Sequence, residues 1–379
     1  MTHVGIDIEQ FTRDPFGSGI QRVLQYLAIE WPEDGPECSF VLPHRDGHLL
    51  LDPEQASRVL SVPFEAGTSD AGEIRALVAS AIAQAEGRVV EPGMLISMLD
   101  GWLLPEVSYH PAVLQRLEMF AECMPVTMIG YDALPMIEPA NYRFPPGMAA
   151  QVSQYFRMLT RADAVVCISE YSRASIWDRL RRERSATTVV AHPGGDHIPP
   201  LAKAHESSEI PTVIKVGTLE SRKKPIETID AFRVLRQDGI AAQLVLLGRP
   251  SSSDPHINAH VQAAVEEGIG VRWIHNARDE EVLERLAGAS LFVSIGTEGY
   301  GIPVLEAISQ QVPVIYGGIQ PAAELMDGKG ATRIDTQNTD SLAQGLRDAI
   351  NRRDELAARI DVGAIPTWRD FVKGVVSVL

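Results

Sequence analysis

The stretch LFVSIGTEGYGIPVLEAIS, residues 291–309, decides how the chain is read. Residues 291–295 are apolar and rich in β-branched and aromatic side chains, the mark of a buried strand. Gly296-Thr297-Glu298-Gly299-Tyr300-Gly301 then breaks the run. Pro303 suits a first helical position, where its missing N–H would be unpaired anyway. A strand, a glycine loop and a helix N-terminus form the anion-binding corner of a parallel α/β sheet. Two carboxylates frame this corner, Glu298 in the loop and Glu306 in what reads as the first helical turn. The arrangement suits sugar hydroxyls and a phosphate held together. It also fits a plain tight turn followed by a helix whose dipole Glu306 complements.

The same alternation recurs on both sides of this stretch. From residue 212 onward, apolar runs at 212–216, 243–247, 271–274, 291–295 and 312–316 read as strands, with helical patterns such as 226–236 and 279–287 between them. Earlier in the chain, 4–8, 39–42, 94–99, 126–130, 164–168 and 188–191 read as strands. Helical patterns cover 20–30, 74–85, 112–122 and 148–159. Such alternation predicts α/β architecture, with mostly parallel sheets flanked by helices on both faces. Residues 43–92 are less regular and yield no pairing. The polar, proline-bearing segment 197–211 reads as a linker between domains 1–196 and 212–366, with 367–379 a candidate to return to the first. Both domains read as Rossmann-like and doubly wound, facing a central cleft that receives the strand ends.

A chain of 379 residues has room for two such cores. Its 45% hydrophobic and 22% charged residues are ordinary for a globular protein. A formal net charge of −16 argues against nucleic acid as a partner. The local basic run at 179–184 reads as a solvated helix end. Cys38, Cys123 and Cys167 form no Cys-x-x-Cys pair, which suggests reduced thiols in a reducing compartment. Asp7 and Glu9 stand where a signal peptide needs an apolar core, and the longest charge-free run, 307–323, is broken by glutamines, glycines and prolines. The expectation is a cytoplasmic protein. Peripheral association with the inner face of a membrane stays open, and the pattern gives no oligomeric state.

Two further loops carry candidate chemistry. Gly217-Thr218-Leu219-Glu220-Ser221-Arg222-Lys223-Lys224 follows a strand and precedes a helix, so its cations are placed to clamp a diphosphate. The alternative is a solvated basic loop. Near the N-terminus, Asp14-Pro15-Phe16-Gly17-Ser18-Gly19 is a second glycine loop between strand and helix, with Arg22 where a dinucleotide fingerprint would need its third glycine. Other chemistries lack their motifs. There is no Gly-x-Ser-x-Gly elbow, no Walker loop, no His-Glu-x-x-His and no Asp-x-Asp. His256 and His260 have one-turn spacing but no third ligand, so no metal site and no cofactor are expected.

In these motifs the chain resembles glycosyltransferase family four, retaining enzymes of the two-domain GT-B fold. EGYGIPVLEA, 298–307, is similar to that family's Glu-x₇-Glu segment, and VGTLESRKK, 216–224, to its diphosphate loop. Weaker echoes are FGSGIQRV at 16–23, YDALP at 131–135 and RADAVVCISEYSR at 161–173. The resemblance implies catalytic roles for Glu298 and Asp132, with the backbone of Gly299, Tyr300 and Gly301 beside the donor sugar. It implies that Glu306 accepts from ribose hydroxyls, that Lys223 with Arg222 binds the diphosphate, and that Gly17 and Gly19 approach the phosphate-sugar region. Residues 275–277 would border the base.

Two positions depart from the family pattern. Thr218 stands where many members have arginine, and Tyr131-Asp132 where they have His-Asp. The activity implied is transfer of a hexosyl or 6-deoxyhexosyl group from a nucleotide-diphosphate sugar to a glycan, lipid-linked or small-molecule acceptor. A synthase or phosphorylase is the nearest alternative, and an inactive GT-B-like sugar-binding subunit the alternative of another class. Tyr131 points to the 6-deoxy donor, because an aromatic face suits a methyl group where histidine would meet a hydroxyl. Otherwise Tyr131 packs against Pro135 and the donor is an ordinary hexose.

Overall fold

Eight α-helices among the described residues carry proline at their first or second position, among them Pro53–Glu65, Pro111–Ala121 and Pro225–Gln237. Proline costs nothing there and prevents the preceding strand or loop from running on as helix. Side-chain caps fix other starts: Ser18 accepts from the Gln21 amide, and Asn338 from the Ser341 amide. The computed structural model describes residues 2–68, 70–142, 144–181, 186–199, 210–275 and 277–379. It divides into two units. Met1–Ile137, Phe144–Pro193 and Thr367–Leu379 form the first, and Glu138–Arg143 with Gly194–Pro366 the second.

The first unit is built on eight strands: β1 (His3–Asp7), β2 (Glu37–His44), β3 (Gly47–Leu51), β4 (Arg88–Val90), β5 (Gly101–Leu104), β6 (Val126–Gly130), β7 (Ala164–Cys167) and β8 (Thr187–Val190). Their order is β4-β3-β2-β1-β5-β6-β7-β8, parallel except for the antiparallel pairs β2–β3 and β3–β4 at one edge. That edge accounts for the irregular stretch 43–92. The core against this sheet includes Trp102 and Phe120, whose rings meet edge to face at 4.4 Å. The helix Trp368–Val376 belongs to this unit, and Trp368 stacks on Tyr26 at 4.6 Å.

One expected strand is a helix. Residues 94–99 lie in and just after the helix Pro92–Met98, and β5 follows at Gly101–Leu104. A short apolar run does not by itself separate the two states. Here Pro92 starts a helix, and Leu95 and Leu99, one turn apart, are buried while Met94 faces out.

The second unit has six parallel strands: β9 (Thr212–Val216), β10 (Gln243–Leu247), β11 (Val271–Ile274), β12 (Leu291–Thr297), β13 (Val314–Ile319) and β14 (Ala331–Arg333). They lie in the order β11-β10-β9-β12-β13-β14, packed around Phe232, Leu244, Val293 and Leu346. The segment read as a linker is partly in this unit: Ser309 Oγ donates to Ile198 O and Gln310 Nε2 to Pro199 O, both at 3.1 Å. Residues 200–209 of that segment, and 182–184 of the basic run, lie outside the described residues.

A buried charge group stabilises the carboxyl end of β1. Arg116, from Pro111–Ala121, reaches Asp7 at 2.6 Å and Glu9 at 2.5 Å, with all three side chains almost wholly buried. Burial raises the Asp7 pKa against the pull of Arg116, whereas at Glu9 the two arginines Arg116 and Arg13 outweigh burial and lower it. Arg116→Met would leave two carboxylates buried without this cation. It should cost about 3–5 kcal/mol of folding stability in urea titrations; a loss below about 1 kcal/mol would mean that water already screens the group.

Candidate active site

In the second sheet the chain runs from β9 to β10 and β11 on one side, then returns to β12 on the other. A switch point of this kind opens a crevice at the carboxyl ends of the two strands beside it, β9 and β12. These strands pair only through Val213–Leu291 and Ile214–Phe292, and then part. A 3₁₀ turn, Ser221–Lys223, lies against the end of β12. The approach is close enough to require glycine. A Cβ on Gly296, at φ +104°, would stand 1.9 Å from the Arg222 carbonyl oxygen, and one on Gly217, at φ +125°, 2.7 Å from Lys223 Nζ.

This backbone contact delivers two cations to one carboxylate. Lys223 Nζ lies 2.9 Å from Glu298 Oε1, and Arg222 donates to Glu298 Oε2 at 2.6 Å. Arg222 also donates to Thr297 O at 2.9 Å and pairs with Glu220 at 2.6 Å. Burial alone would raise the Glu298 pKa, but Lys223 and Arg222 outweigh it and hold it at about 2. Burial likewise works against the charge of Arg222, and Glu298 with Glu220 more than offsets it. Lys224 turns away to Glu227 at 3.0 Å. The sequence had marked this loop and Glu298 separately. The fold brings them together.

The strand β12 runs on to Thr297, because Gly296 and Thr297 pair with Gly318 and Ile319 of β13. The helix therefore starts at Ile302, with Gly301 at φ +110° as its N-cap and no capping side chain. Pro303 is its second residue, and Glu306 lies past the first turn, so Glu306 is not placed to complement the N-terminal dipole. Glu306 instead meets His197 Nε2 at 2.9 Å, with both side chains largely buried. His197 had been read only as the start of a linker. Tyr300 is buried, and its backbone carbonyl accepts from the Ala322 amide at 3.0 Å. His275 lies against Trp273, with ring centres 3.8 Å apart, while Asn276 lies outside the described residues. His260 binds Asp230 at 3.0 Å.

A second residue that sequence reading missed is Lys215, on β9 and 7% exposed. A lysine inside the apolar run TVIKV was its visible signal. Burial, then the charge of Lys223, push its pKa down to about 7, against the opposing pull of Glu298 and Glu227.

The remaining candidates belong to the first unit. The Gly17 amide donates to Gln21 Oε1 at 3.1 Å, and Gln21 Nε2 returns to Asp14 O at 2.8 Å, which fixes the loop before the helix Gly19–Ile29. Glu106, two residues past β5, is buried, and burial pushes its pKa to about 8. Asp132 accepts from the Leu134 amide at 2.9 Å. Tyr131 is 8% exposed, and its hydroxyl donates to Pro105 O at 2.7 Å. Its hydroxyl is thus engaged inside the first unit. This unit also holds an open cavity of about 570 Å³ lined by Gln10, Arg13, Tyr109, His110, Met148 and Gln151, among others.

Residues 201–364 match the family model described as glycosyl transferases group 1. O-antigen chain mannosyltransferase B of Escherichia coli is 26% identical to the chain over 205 residues, covering 50% of this chain and 53% of that protein. The chain spans about half, or less, of the length of the curated relatives it matches. Sucrose-phosphate synthase from Thermosynechococcus elongatus superposes with a TM-score of 0.63 at 15% identity, over 99% of this chain and 97% of that one. HepE of Anabaena in complex with UDP and glucose gives 0.60 at 14% identity, over 100% of both. The fold is GT-B, with two Rossmann-like units in tandem. No helix among the described residues is long and apolar enough to cross a membrane.

The lowered pKa of Glu298 makes a pH-dependent contribution to the stability of the second unit. With a folded value near 2 and an ordinary value of 4.5, it is complete above about pH 4.5 and lost as pH falls through 2. Wild type should exceed Glu298→Gln by roughly 3 kcal/mol in denaturant titrations at pH 7. That difference should shrink steadily between pH 4.5 and pH 2. A difference independent of pH would assign the loss to packing rather than charge.

Proposed function

We propose that this protein is a glycosyltransferase that moves a hexosyl or 6-deoxyhexosyl group from a nucleoside-diphosphate sugar to an acceptor hydroxyl with retention of anomeric configuration. The observation that carries the reading is the meeting of Lys223, Arg222 and Glu298 at the switch point, next to the uncapped start of Ile302–Ser309. Cations beside a helix N-terminus suit a diphosphate leaving group. The relative named for O-antigen chain mannosyl transfer supports a role in surface polysaccharide synthesis and makes a mannosyl donor the first to test. The neighbour solved with UDP and glucose supports a nucleotide sugar as co-substrate.

In this mechanism the diphosphate departs toward Lys223 and the helix amides, and helps to take the proton of an acceptor attacking from the same face. Glu298 holds the two cations in place and lies beside the donor sugar. Glu306, oriented by His197, accepts hydrogen bonds from the ribose. In the first unit, taken by itself, Asp132 and the loop of Gly17 and Gly19 are our candidate site residues, and its cavity lined by Tyr109 and His110 is our candidate for the acceptor. Because protein cations neutralise the diphosphate, we take the reaction to need no divalent metal ion.

Incubation with GDP-mannose and a panel of other nucleotide-diphosphate sugars should release the nucleoside diphosphate slowly without acceptor, and excess EDTA should leave that rate nearly unchanged. Activity lost to EDTA and restored by magnesium or manganese would overturn the metal-free account. Tight nucleotide binding without any turnover would favour the inactive sugar-binding alternative.

The two glutamates should fail differently. Glu306→Ala should weaken nucleotide binding by about 1.5–3 kcal/mol, as for a charged hydrogen bond. Glu298→Ala should mainly lower kcat. Intact binding and turnover in both variants would remove them from the site.

A further inference from the structure

The cavity of the first unit offers its ligand mostly hydrogen-bond donors. Gln10 and Arg13, three residues apart, share a face of the helix Glu9–Arg13, and both line the cavity. Buried partners hold each of them from behind. Glu9 Oε1 accepts from Arg13 Nε at 2.9 Å and from Nη2, while Glu9 Oε2 is taken by Arg116 at 2.5 Å. Arg116 in turn reaches Asp7 at 2.6 Å, so a chain of charges runs from the end of β1 to the cavity wall. Glu9 is thus shared by two arginines, and Arg13 Nη1 has no partner among the described residues.

The neighbouring donors are fixed in the same way. Ser108, wholly buried, donates to Gln10 Oε1 at 2.7 Å and accepts from the His110 amide at 3.2 Å. This uses the oxygen of Gln10 and leaves its NH₂ for a ligand. His110 Nδ1 accepts from the Ala112 amide at 3.2 Å, so the ring proton is on Nε2. No Asp or Glu stands among the described residues that line the cavity, in a chain that has 50. Gln151 supplies an acceptor: with its nitrogen donating to Gly147 O at 2.8 Å and Met148 O at 3.1 Å, its oxygen is left over.

A neutral sugar brings a hydroxyl donor with nearly every acceptor, and this wall has few groups to receive them. A carboxylate or a phosphate only accepts, and fits N–H groups gathered around a guanidinium. We propose that the acceptor bound in this cavity carries a carboxylate or phosphate group, held by Arg13 with Gln10 and His110. Gln151 then accepts from one of its hydroxyls. The proposal rests on the reading of this cavity as the acceptor site, and it makes the substrate a uronate or a phosphorylated sugar. A volume of about 570 Å³ has room for such a sugar.

The test is a ligand-observed NMR titration with the methyl glycosides of glucose and mannose, the matching uronates, and the 1- and 6-phosphates. The proteins are wild type, Arg13→Met, Arg13→Lys, Lys223→Ala and Met148→Trp, which fills the cavity. Wild type and Lys223→Ala should bind an anionic probe about ten- to a hundredfold more tightly than its neutral counterpart. Whether the uronate or a phosphate is preferred identifies the group. Arg13→Met should remove the preference, and Arg13→Lys should keep part of it. Glu9 retains Arg116 in both variants, and melting temperatures establish that they fold. Equal binding of charged and neutral probes, abolished by Met148→Trp, overturns the anionic acceptor and leaves the cavity as the acceptor site. A preference that survives Arg13→Met, or is lost in Lys223→Ala, also overturns it, by placing the anion elsewhere. Binding of no probe, or binding unchanged by Met148→Trp, overturns the acceptor reading and this proposal together.

Discussion

A carboxylate at the crevice of a sheet is costly to bury unless cations reach it, and Glu298 is held by two. Much of the second unit follows from that requirement. Arg222 and Lys223 belong to the loop after β9, Glu298 to the loop after β12, and nothing in chain connectivity brings them together. The loop must pass across the end of the neighbouring strand with its backbone in contact. Gly296 admits the Arg222 carbonyl, and Gly217 leaves the space in which Lys223 stands. Glycine at φ above zero is available where other residues would be strained. The two glycine-bearing motifs are therefore halves of one constraint, and either half alone would leave charge unpaired.

The same packing explains how the helix after β12 is offered to a ligand. Pairing of β12 with β13 continues through Thr297, so the loop before the helix shrinks to Glu298–Gly299–Tyr300–Gly301. The carbonyl of Tyr300 and the amide of Ala322 tie this short loop to the segment after β13. The helix start is thus fixed from two sides without a capping side chain. A helix start held in this way is preorganised for an anion, because no capping side chain must be displaced first.

The inner strands of the second unit were legible because most of their residues are buried. Two of them, Thr212–Val216 and Gln243–Leu247, have the bounds that their apolar runs suggest, as does the edge strand Val271–Ile274. The first unit was harder where pairing is antiparallel, since β3 and β4 depend on a partner distant in sequence rather than on a helix crossing. Residues 94–99 failed for another reason: apolar content is shared by helix and strand, and only Pro92 carried the difference. In the site, residue types and their order were readable, but side-chain directions were not. Tyr131 follows β6 as expected, yet its hydroxyl goes to Pro105. Glu306 was recognised without His197, whose role depends on the chain folding back onto Ile302–Ser309.

Lys215 shows where local pattern and tertiary charge diverge. In sequence it reads as one polar interruption of a buried strand, which the strand tolerates because its neighbours Val213 and Ile214 are wholly buried. In the fold it is 7% exposed, and burial, then the charge of Lys223, pushes its pKa down to about 7, so the apolar run that hides it in a strand does not reveal a lysine whose charge the fold disfavours.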